Sequence, residues 1–368
     1  MSGNPVARLD AADQATIDKF ASAAMINGIT GVVVGIDDPT KGYSVKAYGK
    51  ADTAGTPMAT DMHYRIASVS KTFTAFEVLK LGEQHKLALT DPISRYVDGV
   101  PNRDTITIKD LLAMRSGLFD YTHDPSFAAH YSAMPTYPEW KVSDVLPIVR
   151  ANQNGTPDAV TQYCNTNYVL LGEVITKVTG QQANAVMDSV ARSLGLAQTT
   201  FPTTADLPSP SAHGYLLENP PPDGVSVVPS PRTRDVTRSN PLVPYTAGAM
   251  ISSVPDMLRY AQQLGTGTGL EPSTFQQRSA FTPLEGTNGQ ASYGLGLTQV
   301  GKWVGHDGSI LGFSDMVFYL PASRASLVVM VNEADGERIP SQLLWGQIAH
   351  ALYPGTVPGL IRRTSMGR

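Results

Sequence analysis

Strand-type patterns cluster at the two ends of this chain and helix-type patterns fill the middle, and that segregation restricts the folds open to it. Near the start, Ile29–Ile36 (ITGVVVGI) reads as a buried strand. The turn Asp38-Pro39-Thr40-Lys41-Gly42 then leads into a second strand, Tyr43–Tyr48, as a hairpin. After Ala291, four more strand-like runs follow at Tyr293–Leu297, Trp303–His306, Phe313–Tyr319 and Ser326–Val331, closed by a helix over Pro340–Leu352. Short connections between these runs favour antiparallel pairing. The expected architecture is α/β: an antiparallel sheet flanked by helices, built from residues 1–75 plus 286–368, with a mainly helical insertion at 76–285.

The middle carries the helical signals. An opening helix is expected from Asp10 to Asn27, and the short strand Tyr64-Arg65-Ile66 runs into a long helix beginning at Ser68. Thr107-x-x-Asp110 has the form of a capping box opening Ile108–Met114, with Gly117 as its stop. Asn165–Val178 is amphipathic and ends at Gly180, and Ser253-Val254-Pro255-Asp256 opens Met257–Leu264. Between them, 202–244 is proline-rich and reads as an irregular excursion. At 368 residues the chain is long enough to bury a core without staples, and its single cysteine, Cys164, excludes an intrachain disulfide scaffold. A net charge of −4 without a basic run argues against nucleic acid as a partner. No apolar run reaches the length of a membrane span, so no transmembrane segment is expected.

Three short motifs could carry chemistry. Ser68-Val69-Ser70-Lys71 places a hydroxyl at an expected helix start and an amine one turn on, so the two share a face; a desolvated lysine can act as base for the serine. Tyr163-Cys164-Asn165 offers a phenol that can shuttle a proton and an amide that can orient groups. His306-Asp307-Gly308-Ser309 lies on an expected strand, where Gly308 permits close approach and the Ser309 amide can face a carbonyl oxygen. Each has a plainer reading alone: a helix cap with a surface lysine, a buried tyrosine with Asn165 as N-cap, and a hairpin turn. Lys80-Leu81-Gly82 matches the third pattern formally, but it sits inside the first long helix. His123 and His130 with Asp120 and Asp124 fit no standard metal spacing and read as a surface loop.

Taken in order, Ser-x-x-Lys, Tyr-x-Asn and His-x-Gly resemble the serine β-lactamase and penicillin-binding protein superfamily. The resemblance is to the branch of class C β-lactamases and Streptomyces-type D-alanyl-D-alanine carboxypeptidases. The stretches RIASVSKTFTA, LLAMRSGLFDYTHD, YCNTNYVLLGEVITKVTG, TAGAMISSVPDM, SYGLGL and GHDGSILGF carry it across most of the chain. It implies a β-lactamase/DD-peptidase-like fold. By the same resemblance, Ser68 would be the acylated nucleophile, Lys71 its base and Tyr163 a proton relay. Asn165 would position substrate, His306 would supply the third-motif polar group, and the amides of Ser68 and Ser309 would form an oxyanion hole. Asp307 and Gly308 would line the substrate site. No metal and no cofactor are expected. Three departures stand out: His306 replaces the usual lysine, Cys164 replaces serine or alanine, and Asp307 replaces the threonine or serine that meets a substrate carboxylate. The arginine expected after Tyr293-Gly294-Leu295-Gly296-Leu297 is also missing, since Thr298 and Gln299 follow.

The leading expectation is therefore a serine hydrolase acting through an acyl-enzyme, of the D-alanyl-D-alanine carboxypeptidase or penicillin-binding type. The alternatives are a serine esterase or β-lactamase-like hydrolase, a D-aminopeptidase, and a penicillin-binding sensor with little turnover. The partner is a small molecule or a peptide: a peptidoglycan stem peptide, an ester or a β-lactam. The N-terminal MSGNPVARLDAADQ lacks the apolar region of a signal peptide. An extracytoplasmic location with the leader removed is expected, with the cytoplasm as the alternative.

Overall fold

The apolar run at the start of the chain becomes the strand β1 (Gly31–Asp38), whose residues are buried on both faces. Val33 enters one core and Val32, Val34 and Ile36 enter another, because successive side chains point to opposite sides of a sheet. The computed structural model describes residues 7–26, 28–127, 131, 140–217, 233–334 and 339–358. Its main sheet has eight strands in the order β2-β1-β12-β11-β10-β9-β8-β7, all antiparallel. The strands are β2 (Gly42–Gly49), β7 (Thr282–Pro283), β8 (Ala291–Tyr293), β9 (Thr298–Val300), β10 (Trp303–Ile310), β11 (Phe313–Leu320) and β12 (Ala325–Val331). The two ends of the chain meet where β1 pairs with β12, Val32 opposite Val331 and Asp37 opposite Ser326. Two short pairs stand apart: β3 (Tyr64–Arg65) with β6 (Ile251–Ser252), and β4 (Tyr215–Leu217) with β5 (Thr233–Asp235).

The helices divide between the two faces. On one face lie α1 (Ala11–Ile26) and α9 (Pro340–Leu352), which pack on each other and around Trp303, Phe318 and Trp345. On the other lie α2 (Ser70–Glu83), α3 (Ile108–Leu112), α4 (Val145–Ala151), α5 (Asn165–Thr179), α6 (Ala183–Ser193), α7 (Val254–Thr266) and α8 (Pro272–Arg278). There α2 packs against α5 and α6, and α7 covers β11 and β12. This is the α/β arrangement read from the sequence, an antiparallel sheet with helices on both sides and a mostly helical middle.

Several local expectations shift. The run Tyr293–Leu297 is not a strand: β8 ends at Tyr293, and Gly294 N–H donates to the Leu297 carbonyl at 2.8 Å to close a turn into β9. Gly296 has a φ of +68°, which its missing Cβ permits, and a Cβ there would lie 2.2 Å from that of Ala75. The long helix begins at Ser70, because Ala67–Val69 forms a separate 3-10 turn. The Thr107 capping box is present, but α3 ends at Leu112 and Met114 takes a φ of +60°, so the chain leaves the helix before Gly117. β10 extends past His306 to Ile310. Within the proline-rich excursion, β4 and β5 form one short pair, and 218–232 lie outside the described residues.

Candidate active site

Three parts of the fold converge on one place. The 3-10 turn of Ser68 sits at the head of α2, Asn165 opens α5, and β10 runs beside the turn. Ala67 holds a φ of +43°, a costly conformation for a non-glycine residue, and the backbone around it is clamped. Ile66 N–H donates to the Met250 carbonyl at 3.0 Å, and Met250 N–H donates to Ser70 Oγ at 3.0 Å. Gly308 explains how β10 comes so close: a Cβ there would stand 2.6 Å from the Ile66 carbonyl oxygen and 3.2 Å from Ala67 Cβ. The missing Cβ admits the Ser68 turn.

Lys71, on the first turn of α2, is fully buried. Its ammonium donates to Ser68 Oγ at 2.9 Å, to Asn165 Oδ1 at 2.8 Å and to the Ala247 carbonyl at 2.7 Å. Burial pulls its pKa from 10.5 down to about 7, against the charges of Asp120 and Asp307, which act in the opposite direction. Loss of one proton leaves two donors for three acceptors. Neither the Asn165 amide oxygen nor the Ala247 carbonyl can donate, so the Ser68 hydroxyl must turn its proton toward Nζ. The Tyr163 hydroxyl is hydrogen-bonded to the Ser68 side chain, and burial holds its own proton well above the usual phenol range. Its ring lies 4.9 Å from Lys71 Nζ.

The third motif meets this group from β10. His306 is buried, with its ring centroid 6.2 Å from that of Tyr163. Nδ1–H donates to the Asp307 carbonyl at 2.6 Å, and Nε2 is hydrogen-bonded to the Tyr293 hydroxyl at 3.1 Å. The Asp307 side chain is 20% exposed, and its Oδ1 is 3.8 Å from His306 Nδ1. Its charge acts on Lys71, Tyr163 and Tyr293, which places it at the same cleft. β9 pairs with Trp303–Gly305 only, so the His306–Ile310 half of β10, with Ser309, has no strand partner on that side among the described residues.

Two residues of this cluster were not assigned to it from the sequence. Asp120, expected in a surface loop, is buried, and its Oδ2 accepts from Asn165 N–H at 2.8 Å and from Asn165 Nδ2 at 3.0 Å. Its other oxygen caps the turn Tyr121–His123 through Thr122 N–H, and that Asp-x-Thr pattern was the available signal. Tyr293 had no local signal, because its role depends on the turn that follows it. His123 is exposed, and His130 lies outside the described residues. Asn165 does not cap α5 but is its first residue, after Cys164. Cys164 is buried with its thiol directed at the Leu118 carbonyl, and burial pushes its pKa upward. Lys80 pairs with Glu83 at 2.6 Å on α2, away from this cluster.

The Beta-lactamase family model matches residues 17–348. Penicillin-binding protein 4* of Bacillus subtilis is 26% identical over 81% of this chain and 67% of its own length, so this chain spans about two thirds of that relative. A D-stereospecific amidohydrolase from Streptomyces sp. superposes with a TM-score of 0.80 at 26% identity, over 93% of this chain and 99% of its own. The D-amino acid amidase from Ochrobactrum anthropi SV3 complexed with L-phenylalanine gives 0.79 at 25% identity, over 92% and 98%. No helix among the described residues is long and apolar enough to cross a membrane. With the family matched over most of its length, this chain is a serine hydrolase and belongs to the Beta-lactamase family.

Proposed function

We propose that the chain cleaves amides or esters through an acyl-enzyme on Ser68. The observation that carries this reading is the buried Lys71 amine, 2.9 Å from Ser68 Oγ and with a pKa of about 7. Neutral Lys71 takes the Ser68 proton as Oγ bonds to the substrate carbonyl carbon. The amides of Ser68 and Ser309 receive the oxyanion, where losing one such donor costs roughly 10²–10³ in turnover elsewhere. Collapse of the tetrahedral adduct breaks the bond to the leaving group, which takes a proton delivered through Tyr163. Water then attacks the acyl-enzyme with the same groups acting in reverse. Asn165, anchored by Asp120, holds Lys71 and the substrate amide in register. His306 acts as a polar group beside Tyr163.

The narrower reading is hydrolysis of D-configured amino-acid amides, supported by the amidohydrolase and amidase among the structural neighbours. The D-alanyl-D-alanine carboxypeptidase reading stands second, supported by the penicillin-binding relative. One experiment addresses all of these: p-nitrophenyl acetate, nitrocefin, D-phenylalanine amide and a D-Ala-D-Ala peptide compared side by side, with fluorophosphonate labelling read by intact-protein mass spectrometry. A single adduct on Ser68, lost in Ser68→Ala together with all turnover, is expected. An adduct on Ser70, or activity surviving Ser68→Ala, would overturn the acyl-enzyme assignment.

A further inference from the structure

Acyl transfer through Ser68 leaves one buried acid beside the site unused. Asp315 lies on β11 opposite Gly308, fully buried, with neither carboxyl oxygen hydrogen-bonded among the described residues. Its side chain points toward the Ser68 turn. The place a Gly308 Cβ would take is 3.1 Å from Asp315 Oδ2, 2.6 Å from the Ile66 carbonyl oxygen and 3.2 Å from Ala67 Cβ. Gly308 precedes Ser309 and Ala67 precedes Ser68, so the carboxyl reaches the residue before each amide assigned to the oxyanion. The rest of its surroundings are apolar: Phe313 and Val317 flank it on β11, and Met330 stands opposite on β12. Among the described residues, Tyr64 is the one ionisable group that feels its charge, and burial alone acts on its proton. A carboxyl so placed stays a neutral acid, because its ion would lack water, donors and a counter-charge.

We infer that Asp315 tunes the oxyanion hole as a positioning residue: held neutral, it leaves the Ser68 and Ser309 amides free to receive the oxyanion, and once ionised it repels that charge from behind. The inference rests on the acyl-enzyme reading of Ser68 and adds a control to that same site. Negative charge gathers on the substrate oxygen only as Oγ bonds to carbon, and a fixed carboxylate behind the donors opposes it at that moment. An uncharged substrate carries no such charge before reaction, so the loss falls on the rate of acylation rather than on binding. Acylation is therefore intact while Asp315 keeps its proton and falls as rising pH removes it.

The test is the rate at which an uncharged fluorophosphonate labels Ser68, followed by intact-protein mass spectrometry across pH. In that reaction Ser68 Oγ bonds to phosphorus, fluoride leaves, the hydroxyl proton passes to Lys71, and the phosphoryl oxygen gathers charge as a carbonyl oxygen would. The proteins are wild type, Asp315→Asn and Asp315→Leu, each scaled to its own maximum rate. Wild type is expected to hold its plateau to about pH 8 and then lose at least about tenfold by about pH 10, the region where buried carboxyls titrate. Both variants, with no proton to lose there, should hold their plateau; if Asp315→Leu does not fold, Asp315→Asn decides. Tyr64, Lys71, Tyr163, Tyr293, His306, Asp307 and Asp120 are present in all three proteins, so the difference between the curves reports Asp315. An alkaline loss of the same size in Asp315→Asn, or a wild-type plateau unbroken to about pH 10, overturns the inference alone. Absence of Ser68 labelling at every pH overturns the acyl-enzyme reading, and the inference with it.

Discussion

Lys71 shows how burial alone can make a base. An ammonium in water keeps its proton to pH 10.5; removed from water it releases the proton near about 7. Below that pH the amine is filled and cannot take the Ser68 proton, so kcat/KM should fall about tenfold per pH unit under 7 and level off above it. Lys71→Ala and Tyr163→Phe should each lower acylation by at least ~10²-fold, and the double variant should be little worse than the poorer single one. Fully additive losses would separate the two residues into different steps. Asp315 shows the opposite effect. It is fully buried on β11 opposite Gly308, neither carboxyl oxygen has a hydrogen-bond partner among the described residues, and burial holds it protonated well above the usual carboxylate range. Above about pH 4 the unfolded chain sheds this proton while the folded chain keeps it, so Asp315 costs stability increasingly as pH rises. Asp315→Asn removes the titration, and its Tm relative to wild type should rise between pH 4 and pH 7; a constant difference would show that Asp315 is ionised in the fold.

At the scale of elements, the approach of β10 to the Ser68 turn depends on one missing methyl group. Gly308→Ala must push against backbone at the Ile66 carbonyl rather than a yielding side-chain tip. It is expected to cut turnover by at least ~10²-fold, the scale set by a misplaced reacting group, and to lower Tm by several degrees. Near-normal turnover would mean that the turn can move without consequence. This element also marks where sequence reading ran out. Ser68, Lys71, Tyr163, Asn165 and His306 could be picked out because each motif is local and their order along the chain is informative. Asp120 and Tyr293 were not, because the Asp-x-Thr pattern announces only a capped turn, and each residue acts on a partner tens of positions away or across a turn. The alternation in Tyr-Gly-Leu-Gly-Leu imitates a strand, and only the glycine conformations reveal the turn. The start of α2 was misplaced by two residues because the positive φ of Ala67 leaves no compositional trace.

Across the whole molecule, the division of strands between the two ends was legible because both end segments carry apolar runs too continuous for a surface. What the pattern could not supply was the seam, β1 against β12, which joins residues about 300 positions apart. Such distant pairing makes the sheet slow to assemble and binds its parts into one cooperative unit. Hydrogen exchange should therefore find β1, β11 and β12 opening together at the highest protection; a β1 that exchanges well ahead of β12 would show the N-terminal hairpin to be an independent layer. Leu327, fully buried on β12 against the α1 and α9 side, tests the core away from the site. Leu327→Ala should cost about 2–5 kcal/mol in denaturant unfolding, with turnover per folded molecule unchanged.

The stretch of β10 beyond β9, which has no strand partner on that side among the described residues, has one more consequence, for how the protein behaves in a crowded solution. Open strand edges invite other chains to add to them, and the usual safeguards are shortness and charge. This edge is five residues long, His306 to Ile310, and Asp307 is its second residue. Asp307 would thus protect against aggregation. Asp307→Val, with the charge replaced by a strand-favouring side chain, should raise light scattering on mild heating at temperatures where the wild-type solution stays clear.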